Sequence, residues 1–414
     1  MEYWLYLHPY VYVSIKKDIA ILYNTLNGKL LEYCQEKKGM IYRLIRKLNS
    51  DKNLYVISIK TEEIDSHIKT FINDLRKYYL GDLINKEHRP HRPIQLKPVL
   101  NLQRTLEDFF PTSSGQNKIM TRDELPDYLN VITLYINDGC GEACSFCGKA
   151  YKQFMCCTKR TKGEITVDLI RKLIDQIQRS NLYKLNITGG NIFRHSSFKR
   201  IVEILDAVTH IKDYYIHYKN VEEMNFLNGE KNCLNIIINF PLDAQGLKRS
   251  LKLSNRLSLK KKFRFIVQEI GDIEKAEEAV SSFSIKDAEL IPYFNGNNLD
   301  FFKQNVFLDK DSIIQGRPHM KDIFSRMTIN TWDFKKLTVL SNGDVYANLN
   351  HPKIGNLNRV HIFDMVEKEL HQGKSWTKVR KYVKPCKSCV FNVLCPPISN
   401  YEYTIGKYNL CNIM

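Results

Sequence analysis

Residues 140–147 read Cys140-Gly-Glu-Ala-Cys144-Ser-Phe-Cys147, three thiols separated by three residues and then two. Thiolates are soft ligands, and a loop this short can wrap them around one face of an iron–sulfur cube. Three ligands on a four-iron cube leave one iron open to a chelating small molecule. The preceding stretch, Val131-Ile-Thr-Leu-Tyr-Ile136, reads as a buried strand. The loop therefore leaves a strand's C-terminal end, where barrel enzymes gather their chemistry. The alternatives are a zinc knuckle, with Cys156 or Cys157 as a fourth thiolate, or buried free cysteines that happen to lie close.

Working outward, strand and helix patterns alternate. Thr166 caps a helix that turns Val167, Ile170, Leu173, Ile174 and Ile177 inward. Lys184–Thr188 is a second strand, followed by Gly189-Gly190, with a helix from Phe198 to Val208. Tyr214–Tyr218, Leu234–Phe240, Phe263–Gln268 and Glu289–Tyr293 supply four more strands. Six strand–helix units build an open partial barrel of parallel strands with a lateral opening. Leu337–Leu340, the Asn342-Gly343 turn and Asp344–Tyr346 read as a hairpin, Ile354-Gly-Asn356 follows, and a helix spans Ile362 to Leu370.

The CxxxCxxC loop after a first barrel strand, with Phe146 before its last Cys, resembles the cluster loop of the radical SAM superfamily. The resemblance implies an α/β fold: a partial (β/α)6 radical SAM barrel with an N-terminal winged-helix-like module and a C-terminal cysteine-rich SPASM/twitch-like domain. It implies that Cys140, Cys144 and Cys147 ligate a [4Fe-4S] cluster whose open iron binds S-adenosylmethionine (SAM), with Phe146 beside cluster and adenine. Reduction then cleaves SAM to a 5′-deoxyadenosyl radical, for which an external electron donor is required. Thr188-Gly189-Gly190-Asn191 occupies the place of the family's Gly-Gly-Glu motif, whose glycines admit the SAM methionyl group. Asn191 keeps a carbonyl acceptor for the SAM amine and loses the family's charge, a weakening of about 1 kcal/mol.

A second group is Cys386-Lys-Ser-Cys389, then Cys395 and Cys411. By count, four thiols suit a [4Fe-4S] cluster or a structural zinc equally well. Their spacing resembles the SPASM domain, whose full pattern binds two auxiliary clusters. Two positions that carry Cys in that pattern are here Asn348 and Ser399. The resemblance thus implies one auxiliary cluster on Cys386, Cys389, Cys395 and Cys411, with no open iron, for electron relay or support. Cys34 and Cys233 read as small core residues.

Residues 1–85 read as a separate module. Tyr10–Ile15 and Ile19–Tyr23 form a hairpin, Asn27-Gly28 a second turn, Met40–Leu48 an amphipathic helix and Leu54–Ile59 a strand. Thr61 is expected to cap a helix carrying Ile64, Ile68, Phe71, Ile72, Leu75 and Tyr79 inward, with Gly81 as its stop. A hairpin and helices ahead of such a barrel resemble a RiPP recognition element, which binds a ribosomal peptide's leader as an added edge strand; a structural cap is the other reading. Pro90, Pro93, Pro98, Pro111 and Thr112-Ser-Ser-Gly115 mark 86–125 as a linker. The barrel is assigned to 126–300 and the reduced SPASM-like domain to 301–414.

The chain of 414 residues holds room for two or three domains. No apolar run reaches a membrane span's length, and the N-terminus lacks the form of a signal peptide, so no membrane and a cytoplasmic location are expected. In that compartment, seven of the eleven cysteines lying in two ligand-spaced groups point to metal rather than disulfides. The charge of +17 is scattered apart from local runs such as Lys260–Lys262, and no RNA-binding motif accompanies it. Nucleic acid is therefore not expected as a partner; a solvated basic surface, or one that attracts an acidic peptide, is expected instead.

The whole resembles radical SAM peptide maturases, and implies an enzyme that abstracts hydrogen from a ribosomally made precursor peptide. Tyr3-Trp-Leu-Tyr-Leu7 and Leu22-Tyr-Asn-Thr-Leu-Asn-Gly28 also resemble the pseudo-radical SAM companions of Bacteroidales peptide systems. That second reading is a protein that binds the precursor and assists a partner maturase. A radical SAM enzyme acting on RNA or a small molecule is the third. The sequence assigns no catalytic acid or base.

Overall fold

The computed structural model describes residues 1–94, 124–161, 163–206, 211–222 and 227–413. The linker positions Pro98, Pro111 and 112–115, and the end of the expected helix at 207–208, lie outside these residues.

The N-terminal module begins with β1 (Glu2–Leu7), then β2 (Val11–Lys16), β3 (Ile19–Asn24) and β4 (Leu30–Cys34). α1 (Gln35–Leu48), β5 (Val56–Lys60), α2 (Ser66–Lys77) and β6 (Gly81–Asn85) complete it. β2, β3 and β4 form one antiparallel meander, and a second sheet runs β5-β1-β6 with β1 central. The expected hairpin and both helices are present, but β5 separates α1 from α2, so they are not joined as a helix–turn–helix. Leu5, Leu7, Ile45, Phe71 and Leu75 fill the core between them.

Two expected boundaries are corrected. Asp65, not Thr61, caps α2, its carboxylate accepting from Ile68 N–H at 2.8 Å. Thr61–Glu63 forms a 3₁₀ turn instead, tied back by Glu63 to the Lys60 N–H at 2.7 Å. Gly81 does not stop that helix but heads β6, where a Cβ would lie 2.1 Å from the Tyr6 carbonyl oxygen. Cys34 and Cys233 are half-buried rather than core residues.

The main sheet has nine strands among the described residues. β7 (Val131–Tyr135), β8 (Lys184–Thr188), β9 (Ile211–His217), β10 (Asn228–Ile238), β11 (Ser258–Val267) and β12 (Ala288–Pro292) lie side by side in chain order, all parallel. The intervening helices are α3 (Val167–Ile177), α4 (Phe198–Asp206), α5 (Ala244–Ser254) and α6 (Ile270–Ser282). Thr166 caps α3 through Leu169 N–H at 3.2 Å, as expected. Alternate strand residues, such as Ile132, Leu134, Leu185, Ile187, Tyr214 and Leu234, pack with α3 and α4 in the main core. Each such buried aliphatic side chain contributes roughly 1.5–3 kcal/mol. The other alternation, Thr133, Asn186, Tyr215, Asn235, Ile237 and Ile266, faces the opposite side of the sheet.

α7 (Leu299–Asn305), α8 (Lys310–Gln315) and α9 (Met320–Thr328) lead to β13 (Lys336–Val339), β14 (Asp344–Tyr346) and β15 (Gly355–Asn356). The hairpin does not stand apart, because β13 pairs in parallel with β7 and extends the barrel sheet beyond its first strand. α10 (Ile362–Gln372) and α11 (Asn400–Ile405) flank the second cysteine group. That group packs through Val390, Phe391, Val393 and Leu394 onto Ile21 and Tyr23 of β3, joining the two ends of the chain.

Candidate active site and metal centres

The C-terminal ends of the parallel strands converge on the cysteine loop. Asn137, just past β7, anchors it. The Gly190 N–H donates to its backbone and side-chain oxygens at 3.0 and 2.9 Å, and its Nδ2 donates to the Asn191 carbonyl at 2.7 Å. The Asn191 N–H donates to the Gly139 carbonyl at 2.6 Å. Here the Gly-Gly pair is required by backbone contact. A Cβ on Gly190 would lie 2.3 Å from the Gly139 carbonyl, and one on Gly189 2.5 Å from that of Asn137, with φ at +151°. The two glycines thus seat the cysteine loop itself on the end of β8.

Phe146 lies in an apolar cluster with Tyr215, Ile237, Ile266, Ile291 and Tyr293, its ring 5.6 Å from that of Tyr293 and 6.0 Å from Phe154. Cys140, Cys144 and Cys147 are half-buried beside it. Asn220, beyond β9, reaches across to Cys140, its Nδ2 lying 3.4 Å from both Sγ and the carbonyl oxygen. The Cys157 thiol also hydrogen-bonds Cys140, which holds the Cys140 thiol down at about 6. Burial pushes Cys144 up to about 11 and Cys156 well above the usual thiol range. Asp138 stitches the loop's return limb, accepting from Thr158 Oγ1 and Thr161 N–H, each at 2.9 Å.

Two polar atoms at this site are buried without a partner, Thr188 Oγ1 and Asn191 Nδ2. The side-chain oxygen of Asn191, expected to meet the SAM amine, already has a donor within the chain. It accepts from Phe193 N–H at 3.1 Å and so caps a short turn, and the unpaired atom is a donor. A donor there suits an acceptor such as a carboxylate better than the expected amine.

In the C-terminal group Cys386 is buried, and Cys389, Cys395 and Cys411 are half-buried. Burial raises the thiols of Cys386 and Cys389, and pushes that of Cys395 up to about 12, with the neighbouring thiols adding to each rise. All four therefore lie within electrostatic reach of one another. Arg380 organises the surrounding turns. It forms a two-pronged pair with Glu402 at 2.6 and 2.9 Å, donates to the Pro396 and Tyr408 carbonyls at 2.6 and 2.8 Å, and approaches Cys386 Sγ at 3.7 Å. Asn348 and Ser399, which stand where the SPASM pattern has Cys, have become hydrogen-bonding residues: Asn348 binds Asp333, and Ser399 caps α11.

Among the described residues no three His, Cys, Asp or Glu side chains converge on one ion-sized point. A four-iron cube attaches each thiolate to a separate iron, so its ligands need not converge that way. The donor sets fit cubes: three soft thiolates with two unpaired polar atoms near by, and four soft thiolates on short turns.

Asn220, Asp138 and Gln153 were not singled out by the sequence. Asn220 and Asp138 carry a positional signal, each a polar residue three past the end of a parallel strand; Gln153 carries none.

No family model and no curated protein matches the chain. Its structure is similar to that of Streptococcus suis SuiB. With SuiB bound to precursor peptide SuiA, identity is 13% and the TM-score 0.48, over 98% of each chain. With SuiB bound to S-adenosylmethionine the figures are 12% and 0.46, over 99% of this chain and 98% of that one. BtrN in complex with AdoMet and 2-DOIA is similar at 14% and 0.32, over 63% of this chain and 92% of that one. No helix among the described residues is long and apolar enough to cross a membrane.

Proposed function

We propose that the chain is a radical SAM peptide maturase. One observation carries this reading: the Cys140–Cys147 loop is seated on Gly189-Gly190 at the C-terminal ends of six parallel strands, next to unpaired Thr188 Oγ1 and Asn191 Nδ2. Cys140, Cys144 and Cys147 would hold a [4Fe-4S] cluster, and Thr188 and Asn191 the methionyl end of SAM. When bound, the cluster supplies the electron that cleaves SAM. The chain's own part is to exclude water with Phe146, Phe154 and Tyr293, and to direct donors at the loop through Asn220. Cys386, Cys389, Cys395 and Cys411 would hold a second cluster, or a zinc ion.

The N-terminal module offers a place for an extended peptide. Among the described residues β5 pairs with β1 alone, and its other edge opens on a groove of about 480 Å³ lined by Met40, Arg43, Leu44 and Lys47 of α1 together with Ser58, Glu62 and Glu63. Val56 N–H bonds Asn53 and Lys60 N–H bonds Glu63, both away from β1, so Ser58 between them turns its N–H into the groove. A precursor added along this edge would meet basic residues on one wall and acidic ones on the other.

The second reading, a companion that binds the precursor for a partner maturase, is favoured by one observation: Asn191 replaces the acidic residue, and its carbonyl is already used as a cap. The test incubates reconstituted protein with its precursor peptide, SAM and dithionite, and weighs the peptide. A mass change lost in Cys144→Ala supports the maturase. Binding through residues 1–85 without a mass change supports the companion.

A further inference from the structure

Outside the two cysteine groups, a chain of carboxamides links the C-terminal domain to the cysteine loop. Asn348 Nδ2 lies 2.9 Å from Asp333 Oδ1 and 2.8 Å from Asn400 Oδ1, so its two protons are shared between them. Asn348 Oδ1 accepts from the Asn350 N–H at 2.9 Å and from its Nδ2 at 3.1 Å. The same Asn350 Nδ2 donates to the Lys152 carbonyl at 2.8 Å, in the turn that follows Cys147. That turn is also held at the far side of the barrel, where the Gln153 side chain exchanges two 2.8 Å hydrogen bonds with the Phe294 backbone beyond β12.

The ends of β7 and β8 seat the start of the cysteine loop, but the first and last barrel strands do not pair with each other, and the turn that follows Cys147 lies beyond that seat. The 150–153 turn carries few bonds of its own, chiefly Gln153 N–H to Ala150 O at 2.7 Å and Phe154 N–H to the same oxygen at 3.0 Å. Ala150 and Tyr151 also pack in the Phe146 cluster, and side chains from outside the turn bind its backbone at Lys152, from Asn350, and more weakly at Gln153, from Asn400 at 3.5 Å. Asn350 is itself half-exposed, while Asn348 behind it is 6% exposed and saturated with bonds. A surface amide braced by a buried one is the arrangement expected of a positioning contact.

We propose that Asn350, braced by Asn348, Asp333 and Asn400, is a positioning residue that clamps the cysteine loop over the mouth of the barrel. The region where the SPASM pattern places a metal ligand, at Asn348, thus acts on the loop through hydrogen bonds. The functional part of this inference rests on the reading of Cys140, Cys144 and Cys147 as a cluster site.

The test uses the full, reconstituted chain and two variants, Asn350→Ala and Asn350→Asp. Asn350 is not in the core, and the Asp variant keeps the shape while removing the donor to Lys152. Hydrogen exchange at the Gln153 and Phe154 amides should quicken at least tenfold in both, with α3 unchanged, and the electron paramagnetic resonance spectrum of the reduced cluster should shift. Exchange within twofold of wild type overturns the clamp. Faster exchange with an unaltered spectrum overturns the positioning role. If SAM leaves the wild-type spectrum unchanged, the radical SAM reading fails instead, while exchange still decides the clamp.

Discussion

Burial pushes the Asp333 carboxyl up to about 7, against the hydrogen bond from Asn348 and the charge of Lys336, while Glu369 adds to the rise. A carboxyl with a raised folded-state pKa binds its proton more tightly in the folded than in the unfolded chain. Stability from this group is therefore greatest below the ordinary carboxylate value and is lost as pH rises from about 4 to about 7. Three pH units would correspond to ~4 kcal/mol, and the residue's partial exposure reduces that to ~2 kcal/mol. In Asp333→Asn this loss should be absent. The difference in melting temperature, variant minus wild type, should climb from about pH 4 to about pH 7 and level off above, as scanning calorimetry would show; a flat difference contradicts the assignment. Nothing in the sequence marks Asp333. It sits in Thr-Trp-Asp-Phe with no motif around it, and its environment is made by Asn348, fifteen residues on, and Glu369, further still. Asn191 shows the same limit. Its place in the Gly-Gly motif was readable from order along the chain, whereas the direction its amide faces depends on the Phe193 N–H it caps.

Among the elements, β7, β8 and α3 were legible nearly residue for residue. β7 reads as a mostly apolar run, β8 alternates Leu185 and Ile187 with Lys184, Asn186 and Thr188, and α3 carries a Thr cap with strict helical spacing. β1 and β6 were missed, because a strand starting at Glu2 and another at Gly81 acquire meaning only from partners distant in the chain, β5 and β6 for β1 and β1 for β6. The Gly189-Gly190 turn was located correctly, but its closest constraint proves to be the cysteine loop's backbone. Gly190→Ala should therefore displace that loop, at a cost of about 1–3 kcal/mol, and reconstituted protein should hold substantially less iron. Iron assay against wild type checks it, and full occupancy would contradict the contact. At β5, Ser58→Pro removes an N–H that does not serve the β1 ladder. Peptide affinity should fall at least tenfold by calorimetric titration with the fold retained; unchanged affinity would place the peptide elsewhere.

At the scale of the whole molecule, the partial barrel was foreseeable because right-handed strand–helix alternation leaves few ways to arrange six parallel strands. The join between the barrel and the C-terminal part was not. β13 pairs with β7 across some two hundred residues of sequence, and the cysteine-rich turns at 386–395 pack on β3 of the N-terminal module. Pairings so remote in sequence leave no local periodicity to read. Among the described residues both ends of the chain and the barrel share contacts, so the proposed peptide edge at β5 and the turn bound by Asn350 would belong to one connected body.

On the proposed reading, the thiols of Cys140, Cys144 and Cys147 form a working SAM-cleaving site. Its most direct measurement follows 5′-deoxyadenosine by mass spectrometry after anaerobic reconstitution with iron and sulfide, given SAM and dithionite. We predict formation well above a Cys144→Ala control. No product from protein that nonetheless shows full iron–sulfur absorbance would contradict the claim.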